Sequence, residues 1–192
     1  MSKGKKSISV VIGVLLTFAI CFQFTIVAEA AVVKAWEFNA DGDTEGWTSA
    51  SVLGISGLDA SGGYLNGNIT NNDPYMISSN NLNVDITNNK VIKIKLKNNT
   101  TCDKAQIYFI TNTDEVFDQA KRRDFSLIRN DSGYTEYYVD MSTITGWTGT
   151  LRQLRIDPED GTDSGSFSID YIRISTSDAA VTYYVSNSGG ND

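Results

Sequence analysis

Four side chains on two short alternating segments carry the clearest recognition chemistry in this chain. Gln106 and Tyr108 share one parity, while Ile107 and Phe109 take the other. Gln153 and Arg155 stand in the same relation to Leu154 and Ile156. Read as half-buried strands, both segments turn the apolar set inward and the polar set outward. A tyrosine ring offers a flat face to C–H bonds, and amides and a guanidinium offer planar hydrogen-bonding groups. If the two strands share a sheet, the set forms a platform for a sugar ring and its hydroxyls. Otherwise it is an ordinary wet face with Arg155 paired to Asp157. Tyr75, after Pro74 on a loop, either walls that platform or plugs the core under the loop.

Bond-breaking chemistry finds less support. The 192 residues contain no histidine, which excludes His-ligated zinc, Ser-His-Asp triads and any histidine general base within this chain. A glycosidase needs two carboxylates across a cleft, and nothing in the sequence pairs Glu37 with Glu136. Asp41-Gly-Asp43-Thr-Glu45-Gly46 imitates the start of an EF-hand, but Val52 stands where a bidentate glutamate is needed. A looser calcium site using Asp41 stays open. Asp157, Glu159, Asp160 and Asp163 form a second acidic cluster that reads as a solvated turn.

The elements that must position these residues read as strands. Residues 91–98 are the clearest, with Ile92, Ile94 and Leu96 on one side and Lys93, Lys95 and Lys97 on the other. Further strands are expected over 32–39, 51–55, 63–69, 105–111, 125–128, 135–141 and 151–157, with a short one near Val84. A Gly-Leu-Asp-Ala-Ser-Gly turn is expected from Gly57, and a helical turn within 114–124. Trp36 and Trp47 are assigned to the core, and Trp147 reads as a hydrophobic anchor. In the last strand, 166–175, Phe167, Ile169, Ile172 and Ile174 all belong inside, yet the step from Ile169 to Ile172 is odd. One extra residue at Asp170-Tyr171, a β-bulge, reconciles them. The bulge aims Asp170 either at a structural calcium ion or into solvent. Many short strands with almost no helix predict an all-β, antiparallel sandwich of jelly-roll type.

The first 30 residues have a basic start (Lys3, Lys5, Lys6), an apolar run over 8–27 and Ala28-Glu29-Ala30, the pattern of a secretory signal peptide. Its removal takes away three lysines and one glutamate and leaves 13 basic and 22 acidic residues. That balance argues against nucleic acid and anionic membranes as partners. A secreted, extracellular monomer is expected, with Cys102 unpaired. Residues 31–176 are expected to form the domain, 177–181 a link and 182–192 the start of a further domain, whose opening strand runs into Asn187–Asp192 in mid-turn, so a longer parent protein is expected.

The segment from Trp36 to Trp47, the Asn72-Asp-Pro-Tyr75 loop and residues 167–174 together resemble the galactose-binding-like jelly roll of carbohydrate-binding modules in secreted bacterial polysaccharide-degrading enzymes. The resemblance covers 31–175. It implies a non-catalytic module that binds polysaccharide; the alternative is a structural spacer or cap for a following β-helix, with no glycan binding. It also implies a structural Ca2+ between the first and last strands, at positions matching Glu37 and Asp170, with backbone carbonyls completing the shell. Residues 183–192 resemble the opening of right-handed parallel β-helix proteins, which implies a polysaccharide lyase or glycoside hydrolase as parent. Leu151-Arg-Gln-Leu-Arg155 and Gln106-Ile-Tyr108 also resemble jelly-roll alginate lyases, but Tyr108 stands where those enzymes place histidine.

Overall fold

The computed structural model describes residues 30–161 and 164–176. Nearly all of the expected signal peptide, the link, the start of the β-helix and Asp163 lie outside the described residues. Two antiparallel sheets face each other across one apolar core. In chain order the strands are β1 (Val32–Trp36), β2 (Ile55–Ser61), β3 (Tyr64–Ile69), β4 (Met76–Ile77), β5 (Val84–Asp85), β6 (Val91–Asn99), β7 (Lys104–Thr111), β8 (Arg122–Ser126), β9 (Thr135–Asp140), β10 (Thr150–Asp157) and β11 (Gly165–Ser175). The first sheet runs β2-β3-β11-β6-β9, with β1 also on β11. The second runs β4-β10-β7-β8, with β5 also on β10. This is the expected all-β sandwich.

Strand β11 organises the first sheet, and its bulge falls where the odd spacing placed it. The register with β6 shifts between Ile169 and Tyr171. The extra residue keeps Ile169, Ile172 and Ile174 in the core. The shift also marks a change of partner. Before it, Gly165 to Ile169 pair with β3; after it, Ile172 to Ser175 pair with β1. Trp36 enters the core opposite Ile172 and meets Trp47 edge-on at 5.4 Å. Phe109 meets Trp147 in the same way at 4.9 Å. The Trp147 indole N–H donates to the Asn89 carbonyl (2.9 Å), so this side chain is the anchor expected of it. Gly67 faces Phe167 so closely that a β-carbon would come within 2.6 Å of the ring.

Three local expectations are corrected. Residues 57–62 are not one turn. Gly57, at φ +61°, is an irregularity inside β2, where the register against β3 slips between Ser56 and Asp59. The turn itself is Gly62-Gly63, both at positive φ, the two-residue connection that matches strand twist. The preceding segment 51–53 is a 3-10 turn rather than a strand. Strand β8 starts at Arg122, earlier than expected, because its backbone pairs with β7 from Tyr108 down to Lys104. The 3-10 turn before it, Gln119–Lys121, is capped by the Asp118 carboxylate, which accepts from Ala120 N–H (2.7 Å).

Candidate functional site

Strands β7 and β10 are hydrogen-bonded neighbours, so the sequence-derived set lies on one outer face. Tyr108 faces Arg155, Gln106 faces Asp157 and Gln153 faces Ile110. On the far side of β7, Arg122 faces Tyr108 and Asp124 faces Gln106. On the far side of β10, Ile77 of β4 faces Arg155, and the loop before β4 carries Tyr75 over the sheet. The Arg155 guanidinium lies over the Tyr75 ring at 4.0 Å and over the Tyr108 ring at 4.7 Å. A guanidinium over two aromatic rings is held by the ring quadrupoles and by contact.

The structure separates the roles of the five expected residues. Gln106, Tyr108 and Gln153 are buried. Gln153 donates its amide to the Ser78 carbonyl (2.6 Å) and so fastens the chain just after β4. Gln106 donates to Asp160 (2.8 Å) and accepts from the Tyr108 hydroxyl (3.0 Å). These amides therefore build the floor, and the half-buried Arg155 and Tyr75 lie above it. Tyr75 is a wall on the outer face rather than a plug in the core.

Sequence reasoning missed the rim. Asp73, Gln119 and Asp124 are exposed, and Arg122 is half-buried. Gln119 donates to the Tyr108 hydroxyl (3.3 Å), and Arg122 pairs with Asp124 (2.7 Å) and Gln119. The parity of Arg122 and Asp124 on one edge strand was the available signal. An open depression of about 440 Å³ adjoins this rim and is lined by Asp103, Lys104, Asp124, Phe125, Ser126 and Leu127.

The acidic turn after β10 is not solvated as expected. Asp157 and Glu159 are each 1 % exposed. Asp157 holds Arg155 through two bonds of 2.7 Å. Burial outweighs that guanidinium and pushes the Asp157 carboxyl up to about 6, helped by the neighbouring Asp73 and Asp160.

The expected calcium positions are engaged differently. Both oxygens of Glu37 accept from Arg173, at 2.7 and 2.8 Å. Asp170, carried out by the bulge, pairs with Lys95 at 2.7 Å and raises that lysine's pKa by hydrogen bond and charge. Asp41 accepts the Gly62 N–H (2.8 Å). Glu45 accepts the N–H groups of Glu37 and Phe38, and Asp43 accepts that of Glu45. The acidic loop that imitates an EF-hand thus satisfies backbone donors around Phe38, which is fully buried at φ +53°. Among the described residues no three Asp, Glu, His or Cys side chains converge as a metal site. A divalent cation needs several uncommitted oxygens, and the carboxylates of Glu37 and Asp170 each face a cation instead. These residues do not fit the ion.

No family model matches this chain, and a search of curated proteins returns no significant match. Solved structures are similar in fold. A family 29 carbohydrate-binding module aligns with TM-score 0.51 at 14% identity, over 78% of this chain and 90% of that one. A point mutant of a family 29 module aligns with TM-score 0.50 at 16% identity, over 77% and 92%. The unliganded CBM1 of BiXyn10A aligns with TM-score 0.50 at 12% identity, over 76% and 99%. This chain therefore has a fold like that of carbohydrate-binding modules.

Proposed function

We propose that this chain is a non-catalytic carbohydrate-binding module that holds a polysaccharide chain on the outer face of the β4-β10-β7-β8 sheet. The observation that carries the reading is the Arg155 guanidinium lying over both the Tyr75 and the Tyr108 rings. Around it stand Asp73, Gln119, Arg122 and Asp124, which supply acceptors and donors for hydroxyl groups. The likeness in fold to carbohydrate-binding modules supports the same reading. In it, Tyr75 and Arg155 touch the sugar, and Gln106, Tyr108 and Gln153 position them. Secretion follows from the expected signal peptide. The parent would be a polysaccharide lyase or glycoside hydrolase, whose local substrate concentration a tethered module raises.

Affinity electrophoresis of the chain through gels containing different polysaccharides tests this. Retardation by at least one of them, lost in Tyr75→Ala, is the expected result. Absence of retardation across a broad panel returns the chain to the reading in which it is a spacer.

A further inference from the structure

We propose that this face selects uncharged sugar chains and rejects those bearing uronate or sulfate groups. The inference rests on the glycan-binding reading and adds the ligand class. An acidic sugar needs a cation whose charge is not already answered, and among the described residues the face offers none. Arg155 lies between Asp157, at 2.7 Å, and Asp73, at 3.2 Å. Arg122 lies against Asp124 at 2.7 Å. Lys104 pairs with Asp160. At the rim, Arg152 pairs with Glu115 and bonds Asn80 at 2.9 Å. Four cations thus meet five carboxylates.

A ligand carboxylate would have to displace one of these partners. Displacing Asp157 would strand a buried charge, which is strongly unfavourable. Displacing Asp73 would bring the ligand's charge beside it, in the field of a chain that is already net negative at −7. A hydroxyl has no such difficulty. It donates to Asp73 or Asp124 and accepts from Arg155 or Arg122, and the ion pair stays closed. Paired guanidinium and carboxylate groups around aromatic rings therefore form a device for neutral polyols.

The experiment is affinity electrophoresis of the chain in gels of neutral polysaccharide (glucomannan, hydroxyethyl cellulose) and of acidic polysaccharide (polygalacturonate, alginate). Retardation at least tenfold stronger on a neutral gel, and lost in Tyr75→Ala, is expected. A second variant, Asp73→Asn, relieves Arg155 of its exposed partner and should raise acidic-gel retardation severalfold, with an unchanged melting temperature as the folding control. Acidic retardation as strong as neutral, and lost in Tyr75→Ala, would overturn the selectivity while leaving the glycan-binding reading intact. Failure to be retarded by any gel would overturn both.

Discussion

Arg155–Asp157 and Arg173–Glu37 are the same interaction in two settings. Each is bidentate, with bonds of 2.7 to 2.8 Å, and each arginine lies against a tyrosine ring. The first is on the outer face of the second sheet and the other on the outer face of the first. They differ in burial. The Arg155 and Asp157 side chains are 18 and 1 % exposed, and those of Arg173 and Glu37 are 32 and 35 % exposed. Water answers the second pair when it opens and cannot reach Asp157 in the first. Burial, rather than bond length, therefore decides which pair the fold depends on.

The largest expected effect tests that contrast directly. Arg155→Ala leaves Asp157 buried without its guanidinium and should lower stability by about 3–5 kcal/mol at neutral pH. Urea denaturation measures it. The penalty should shrink at pH 5, where Asp157 takes up a proton. A loss below 1 kcal/mol at neutral pH would mean that water reaches Asp157 and that the two pairs are alike.

The next effect concerns Asp157 itself. Its folded carboxyl titrates at about 6, above the ordinary 3.8. Between those values the folded chain holds a proton that the unfolded chain has released. This group therefore adds stability as pH falls from about 6 towards 4, and its contribution is lost as pH rises through 6. The upward shift corresponds to about 2–3 kcal/mol across that window. The groups facing it are Arg155, Asp73 and Asp160. Subtracting the pH profile of Asp157→Asn from that of the parent cancels the opposing carboxylates, such as Asp85, Asp114 and Asp140, whose pKa values are lowered. A flat difference profile would refute the shift.

Ligand binding should follow the same division between faces at smaller magnitude. Tyr75→Ala should weaken binding roughly tenfold, about 1.4 kcal/mol. Tyr138→Ala, which removes an exposed ring beside Lys93 on the first sheet, should leave binding unchanged. Equal losses would move the site or spread it over both faces. Smaller again is Arg173→Ala, expected to cost no more than about 1 kcal/mol because its pair is solvated.

What could be read from the sequence depended on whether a pattern was local. The Lys93, Lys95, Lys97 alternation and the odd step from Ile169 to Ile172 are local, and β6 and the β11 bulge follow from them. Parity placed Gln106, Tyr108, Gln153 and Arg155 outward, and β7 pairing with β10 joined them. Parity does not reveal what covers an outer face. Gln153 is held by the Ser78 carbonyl and Gln106 by Asp160, partners 75 and 54 residues away in the chain, and the burial of Asp157 and Glu159 is no more visible in their own neighbourhood of acidic letters. Gly57 misled for a related reason, since a glycine at a bulge and a glycine in a turn are the same letter.

The smallest expected effect is none, and it separates the two faces once more. If Glu37 and Asp170 held a calcium ion, chelator would lower the melting temperature, because a ligand of the folded state alone stabilises it. Here Glu37 is answered by Arg173 and Asp170 by Lys95, and Lys93 lies on the same strand and face as Lys95. A divalent ion held by Glu37 and Asp170 would have to separate both of these ion pairs, and the carboxylate facing Lys95 on β9, Glu136, already accepts from Tyr171. Melting of the chain in excess EDTA should therefore match melting in calcium. Glu37→Gln should behave like the loss of a surface pair, with no new dependence on metal. A drop in melting temperature with EDTA that Glu37→Gln abolishes would show that calcium displaces Arg173, and the solvated pair would then be a closed form of a metal site.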